Sequence, residues 1–282
     1  MNLACRTALT LIALGLFAGC DDDPAPKVAS APAEMTPLQR AEAGQALWEE
    51  KCRTVAGEKI YKTVPDVEGL VLLKVRPKAW EPEWADPMWP GAAFALEAQT
   101  DEYITTFLGY EYATFTQGRD EPNEITKDRR GYIATDRRPG LMDRPGYRYV
   151  DVIDSKDGQR YRYTGRWEEP WQYDKSYLKG YIKFFLDRVP APDPAPRYGV
   201  TFEDHVIPEE RALGVASSTV RVIDLETNEV LGEMLRYAWS TPASSANPSP
   251  WLTAYKCPGH AVGASAATRK FVDQVLIPRK EQ

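Results

Sequence analysis

The chain has 282 residues, 43% of them hydrophobic, and a formal net charge of −6 at pH 7. This length and composition are typical of a globular body with one large domain or two small ones. The acidic balance, together with a sequence that contains no basic block, excludes the electrostatic pattern of a nucleic-acid-binding protein. We therefore expect no nucleic-acid partner.

The first segment is a short apolar run that follows Arg6 and ends in the sequence FAGCDDD, residues 17–23. Its length is that of a signal-peptide core, and it is too short to span a bilayer. An ordinary secretory signal would require an A-x-A-like cleavage site, and an uncleaved anchor would require roughly 17 to 25 apolar residues. Neither pattern is present before Cys20.

Residues 17–20, Phe-Ala-Gly-Cys, resemble the lipobox of bacterial lipoproteins, with Phe17 in place of the usual Leu. In that family, signal peptidase II cuts before a diacylated cysteine whose new amine is then acylated. The resemblance implies a signal peptide over residues 1–19 and a lipid anchor, including palmitate, on Cys20. Two or three acyl chains are enough for stable membrane attachment. Asp21 also resembles the signal that retains such proteins in the inner membrane of enteric bacteria.

The segment after the anchor, residues 20–35, is rich in Pro, Ala and charge, and it cannot bury enough apolar surface to fold. We expect it to be a flexible tether. A single globular domain is predicted over residues 36–282. The membrane, reached through the lipid on Cys20, is the first expected partner, and an envelope protein is the second.

The remaining cysteines predict a disulfide. Cys5 leaves with the signal peptide and Cys20 carries lipid, so Cys52 and Cys257 remain as a pair in an oxidising compartment. Closing a loop of about 200 residues could contribute on the order of 5 kcal/mol on the chain-entropy model. The alternative is two buried free thiols.

The body opens with a helix over residues 37–51, because Thr36 is an N-cap, Pro37 fits the first helical position and Gln39 completes a capping box. Residues 59–64 and 70–76 then predict a β-hairpin. Residues 77–91 alternate prolines with Trp80, Trp84 and Trp89, which favours an ordered loop without regular structure. Such tryptophans can form a ligand platform, or they can form a lid over the core.

Residues 100–115 predict a helix followed by a strand, and the polar residues 117–131 predict a surface loop. Residues 147–153 and 159–165 form the clearest hairpin. Strand alternation places Arg160 and Arg162 on one face, and together with Arg148 they could receive an anionic ligand or lipid headgroup. The alternative is cross-strand pairing of these arginines with Asp151 and neighbouring tyrosines.

The sequence patterns that predict secondary structure are shorter in the second half of the body. The predicted features are a helix or strand at 177–189, a polyproline connector at 190–196, a strand at 197–203, a helical turn at 208–211, a hairpin at 219–225 and 229–237, a loop at 242–250 and a terminal helix at 265–276. No βαβ alternation is visible. The expected architecture is α+β, a mainly antiparallel sheet of about seven to eight strands flanked by the N-terminal and C-terminal helices.

Catalytic and metal-binding signatures are weak. His205 and His260 have no second ligand at zinc spacing, a C-x-x-C-H haem motif is missing and there is no Gly-rich phosphate loop. Ser176 and Lys179 match S-x-x-K, but no S-D-N or K-T-G follows; Ser265 lacks the second glycine of a nucleophile elbow. We therefore expect no metal, no cofactor and no catalytic residue that the sequence can name.

The function predicted from these signals is that of a membrane-anchored periplasmic lipoprotein that binds a protein or another envelope component, as an immunity, exclusion or accessory factor does. The alternative is an envelope hydrolase acting on lipid or cell-wall polymer through scattered carboxylates or Ser176 and Lys179. A third interpretation is a purely structural envelope protein.

Overall fold

A computed structural model describes residues 35–108, 146–168, 183–259 and 266–279 of the chain. Within these ranges, no helix combines the length and the apolar character needed to cross a membrane. The strand predicted at the end of 100–115, the surface loop at 117–131 and the first part of 177–189 lie outside them.

The described residues contain five α-helices and eleven strands, with 3₁₀ turns at Pro90–Phe94 and Pro250–Thr253. The helices are α1 (Pro37–Thr54), α2 (Glu81–Ala85), α3 (Thr100–Phe107), α4 (Pro208–Ala212) and α5 (Ala267–Val275). The strands are β1 (Gly57–Ile60), β2 (Val64–Val67), β3 (Gly69–Leu72), β4 (Tyr149–Ile153), β5 (Arg160–Glu168), β6 (Lys183–Pro190), β7 (Tyr198–His205), β8 (Val215–Asp224), β9 (Glu229–Trp239), β10 (Tyr255–Cys257) and β11 (Leu276–Pro278).

In the described ranges, nine strands form one large sheet in the order β1-β9-β8-β7-β3-β4-β5-β6, with β10 also paired to β9. Most neighbours are antiparallel, but β3 runs parallel to both β4 and β7, so the sheet is mixed. The remaining pair, β2 with β11, is parallel and separate. The α+β class with terminal helices is therefore confirmed, and the sheet is larger than predicted.

The hairpin predicted from residues 59–64 and 70–76 is wrong. β1 pairs with β9, and β3 is inserted between β4 and β7. All four residues of β3 are buried. Burial on both faces is typical of an interior strand with parallel neighbours rather than of one arm of a surface hairpin.

The predicted capping box and two of the predicted hairpins are confirmed. The Gln39 backbone N–H donates to Thr36 Oγ1 and the Thr36 N–H donates to Gln39 Oε1, which is the predicted capping box of α1. β4 and β5 form the predicted hairpin, as do β8 and β9. The prediction that residues 77–91 lack regular structure is wrong: they contain the short helix α2, where Pro82 is tolerated because it lies in the first turn and removes no helical hydrogen bond.

The two faces of the sheet are covered by different elements. On one face, Val200, Val220 and Met234 belong to the main core, together with residues of the 3₁₀ turn 90–94, α3 and α5. On the other face, α1 packs over β8 and β9, where Trp48 stacks on Trp239 with ring centroids 6.4 Å apart. The described part of the chain therefore begins on the face of the sheet opposite the main core.

Candidate functional site

The predicted disulfide is present. Cys52, near the end of α1, is bonded to Cys257 at the end of β10, with Cα atoms 5.7 Å apart and 205 residues apart in sequence. The bond ties α1 to the strand that pairs with β9. It fixes the packing of α1 on its face of the sheet.

The arginines of the β4–β5 hairpin are engaged within the protein. Asp151 is fully buried and accepts from Arg160 Nη1 at 2.6 Å and from Arg162 Nε at 2.7 Å. Arg162 also lies over the Tyr149 ring at 3.7 Å. Arg148 contacts Glu68 at 3.2 Å on a more exposed part of the surface. These contacts are the internal pairing that the sequence left open as the alternative, and a ligand-facing role stays a prediction.

The three tryptophans of 77–91 have different environments. Trp80 is 57% exposed, and the Lys78 ammonium lies 4.0 Å from its ring centroid. Trp89 is buried, and Trp84 is partly buried and packs against the main core. Trp84 and Trp89 therefore contribute to a lid over the core, and of the three only Trp80 presents a largely exposed ring.

Of the other residues singled out in the sequence, His205 lies in the described part of the chain. His205 Nε2 lies 2.8 Å from Thr219 Oγ1. Among the described residues, no group of three or more His, Cys, Asp or Glu could hold a metal ion. Cys20, Ser176, Lys179, His260 and Ser265 lie outside the described ranges.

A row of polar side chains crosses the core face of the sheet. Asp204, Ser218 and Arg236 are direct neighbours on β7, β8 and β9. Arg76 donates to Asp204 Oδ1 at 2.6 Å, and the same oxygen accepts from Ser218 Oγ at 2.6 Å. The Arg76 guanidinium lies over the Phe202 ring at 3.7 Å, so its charge is held between a carboxylate and an aromatic face.

Glu97 lies beside this row and is 4% exposed. It accepts a hydrogen bond from the Thr268 backbone N–H at 3.2 Å. Burial raises the pKa of Glu97 to about 7, against the opposing effect of the positive charges on Arg76 and Arg236. Burial also lowers the pKa of Lys256 to about 8, assisted by the charge of Arg236. Glu97 and Lys256, both within the electrostatic influence of Arg236, thus have pKa values close to neutral pH.

The described part of the molecule has a pocket of about 390 Å³ between α1, α4 and the loop after β9. Its walls are Arg40 and Ala41 of α1, Ala85 and Pro87, residues 211–214, residues 240–243, and Pro250 and Trp251 of the second 3₁₀ turn. Apart from its two arginines, the lining is dominated by alanine, proline, leucine and tryptophan. The volume lies within the roughly 300–1,000 Å³ range of small-molecule sites.

Gly214 shapes one wall of the pocket. Its φ is +73°, and a Cβ there would collide with the Ser240 carbonyl oxygen. The Ser240 N–H donates to the Gly214 carbonyl at 3.0 Å, so the two backbones are in direct contact. Only glycine combines this conformation with this close approach.

Arg211 is the buried charged residue of the pocket, with 2% of its surface exposed. Its guanidinium donates to the His205 carbonyl at 2.9 Å and to the carbonyls of Pro87 and Pro90, each at 3.4 Å. Burial lowers the pKa of Arg211 to about 10, against the opposing effect of nearby carboxylates. The group therefore stays cationic at neutral pH. Within the described ranges it forms no ion pair at salt-bridge distance, and its Nε has no hydrogen-bond partner.

Sequence reasoning did not identify this pocket. Arg211 lies in a short Pro-Glu-Glu-Arg turn, a pattern that is usually solvated, and the loop at 242–250 is merely rich in Ser, Pro and Ala. No local spacing relates either segment to Arg40. A site built from five separate segments is visible only in the fold.

Comparison of the chain with protein-family models, with curated proteins and with solved structures found no match.

Proposed function

We propose that this protein is a lipid-anchored binding protein of the bacterial cell envelope, facing the periplasm and held in the inner membrane through Cys20. The observation that carries the proposal is the order of three segments. The FAGCDDD sequence comes first, a Pro- and Ala-rich stretch follows, and a folded body then begins with the capped helix α1. This order is that of a tethered domain.

The disulfide supports an extracytoplasmic location. Cys52 and Cys257 are paired across the fold, and such bonds persist mainly in oxidising compartments. The bacterial periplasm is one of these compartments.

The geometry near α1 supports a role at the membrane surface. Residues 20–36 are long enough to span roughly 55–60 Å if fully extended, so the body could reach any point close to the bilayer. Arg40 and Ala41 line the pocket within the first turns of α1, immediately after the tether. The pocket is thus on the part of the body that the tether joins.

A binding function is favoured because the pocket combines an apolar lining with cationic side chains, a composition suited to holding a ligand. The hydrolase alternative depends on scattered carboxylates or on Ser176 and Lys179, the last two of which lie outside the described residues, and it stays a prediction. A serine-reactive probe that labels the natural chain but not Ser176→Ala would favour it.

The anchor is tested by labelling cells with radioactive palmitate and comparing two cysteine variants. Cys5→Ala, within the proposed signal peptide, is the matched control and should incorporate the label normally. Cys20→Ala should lose the label and accumulate as uncleaved precursor. Normal processing and labelling of Cys20→Ala would overturn the proposal.

A further inference from the structure

The pocket beside Arg211 has two chemically different parts. Ala85, Ala212, Leu213 and Trp251 supply apolar surface, and Arg40 and Arg211 supply positive charge. An apolar pocket that contains a buried cation matches a ligand with a hydrocarbon part and an anionic group.

The carboxylates near Arg211 are already used by other groups. Glu210 pairs with the Lys51 ammonium at 3.2 Å. Asp204 accepts from Arg76 and Ser218, both at 2.6 Å, and Asp86 Oδ1 accepts from the Met88 N–H at 2.8 Å. The negative charges of these three carboxylates partly offset the positive charge of the Arg211 guanidinium, but none of them forms an ion pair with it. Among the described residues Arg211 therefore has no direct ion-pair partner, and an anionic group inside the pocket could supply one.

We propose that this pocket binds a small amphiphilic carboxylate of the fatty-acid type, with its carboxylate toward Arg211 and its hydrocarbon chain against the alanine, proline and tryptophan lining. A carboxylate suits Arg211 because its negative charge complements the guanidinium, whose Nη groups already donate to the Pro87, Pro90 and His205 carbonyls and leave two N–H groups over. Each buried methylene adds to the affinity through removal of apolar surface from water. The inference deepens the proposed binding function, and it is independent of lipidation at Cys20.

The size of the pocket favours this ligand over a folded partner. A folded partner needs a broad surface of roughly 800 Å² on each side, whereas this feature is a concave cavity of about 390 Å³, a shape that admits a small molecule. The backbone contact between Gly214 and Ser240 fixes one wall, so the pocket is formed without a ligand. A preformed cavity of this size is suited to a single small molecule.

The test uses the full chain, purified and reconstituted into phosphatidylcholine vesicles. The probes are a decanoic acid that carries a photoreactive diazirine and the primary alcohol with the same chain and diazirine. After irradiation, mass spectrometry locates the modified peptides. We expect the acid to label peptides of residues 240–251 and 211–214 about tenfold more than the alcohol does, because only the acid can pair with Arg211.

Two exposed alanines of one loop provide a matched pair of variants. Ala243 lines the pocket and Ala246 does not. Ala243→Trp should reduce labelling by the acid about tenfold or more, whereas Ala246→Trp should leave it unchanged. Arg211→Met removes the charge and should abolish the preference for the acid. Because Arg211 also donates to three backbone carbonyls, its replacement removes those hydrogen bonds as well as the charge. Arg40→Met is therefore the second variant that removes a positive charge from the pocket.

Three results of this experiment would contradict the inference. Equal labelling by acid and alcohol, labelling outside the pocket peptides, or full labelling of Ala243→Trp would overturn the inference. Because the crosslink is read on the protein itself, it does not depend on acylation. If the natural chain takes up no palmitate but is labelled in the pocket by the acid, the anchor is disproved and the pocket ligand is not. If the natural chain takes up palmitate but is not labelled in the pocket, the pocket ligand is disproved and the anchor is not.

Discussion

Asp151 and Arg162 form a two-point ion pair across β4 and β5. Arg162 Nε lies 2.7 Å from Asp151 Oδ1, and Arg162 Nη2 lies 3.0 Å from Oδ2. Arg160 Nη1 adds a third contact to Oδ2 at 2.6 Å. The carboxylate is fully buried, so both of its oxygens are satisfied by guanidinium groups instead of water.

Asp151→Asn should therefore destabilise the protein by on the order of 3 kcal/mol. The amide keeps the shape of the carboxylate but removes the anion that pairs with Arg162 and leaves Arg160 with its exposed partner Asp193, and breaking a buried pair is costly. Chemical denaturation of the purified protein measures the change. Asp187→Asn is the control, because the Asp187–Arg166 pair is 42% and 44% exposed and should contribute less than about 1 kcal/mol. Equal effects of the two substitutions would contradict the account of the hairpin.

Reduction of the Cys52–Cys257 bond should lower the free energy of unfolding by up to about 5 kcal/mol, because the bond closes a loop of 205 residues. The measurement compares denaturation midpoints with and without a reductant. The double variant Cys52→Ala, Cys257→Ala should be destabilised to the same extent and should not respond to the reductant. A natural chain that is equally stable in both conditions would show that the bond does not support the fold.

Glu97 should make stability depend on pH. Its pKa is raised from 4.5 to about 7 by burial, so the folded state binds this proton more tightly than the unfolded state does. The stabilisation is fully present below pH 4.5 and is lost as pH rises through about 7, a loss on the order of 3 kcal/mol. Glu97→Gln, which cannot ionise, should remove that loss.

Unfolding curves at several pH values between 4 and 8 test this expectation. The free energy of unfolding of Glu97→Gln, relative to the natural chain, should increase as pH rises across this range. Glu42→Gln, on the exposed face of α1, is the control and should leave the pH dependence of the natural chain intact. A pH dependence unchanged by Glu97→Gln would be inconsistent with a buried titrating Glu97.

Gly44→Ala should destabilise the protein although alanine is the better helix former. Gly44 is the buried glycine of α1, and a Cβ there would collide with the Leu213 carbonyl oxygen. Overpacking of this kind costs about 1–3 kcal/mol, which exceeds the gain in helix propensity of about 1 kcal/mol. Thermal unfolding measures the effect, and the exposed Gln45→Ala should change stability by less than about 0.5 kcal/mol. A stabilised Gly44→Ala would mean that α1 is not packed against Leu213.

The parts of the fold that could be predicted from the sequence are those governed by neighbouring residues. The Thr36–Gln39 capping box depends on four consecutive positions, and the β4–β5 and β8–β9 hairpins depend on short turns. The Cys52–Cys257 bond was accessible for a different reason, since assigning the other cysteines left one pair.

The parts that could not be predicted depend on residues far apart in the chain. Nothing near β3 indicates that its partners are β4 and β7, about 80 and 130 residues away. The same holds for the pocket, because Arg40, Arg211 and Trp251 come from segments far apart in the chain that only the folded structure brings together. Burial of Arg211 is a consequence of that packing, and an arginine in a polar turn gives no sign of it.

The central claim, attachment of this body to a membrane through Cys20, is tested most directly by the mass of the N-terminal peptide of protein recovered from the cell envelope. We predict a peptide that begins at Cys20 and carries the added mass of a diacylglycerol group and an amide-linked acyl chain. A peptide that retains residues 1–19, or one that begins at Cys20 without acyl mass, would contradict the claim.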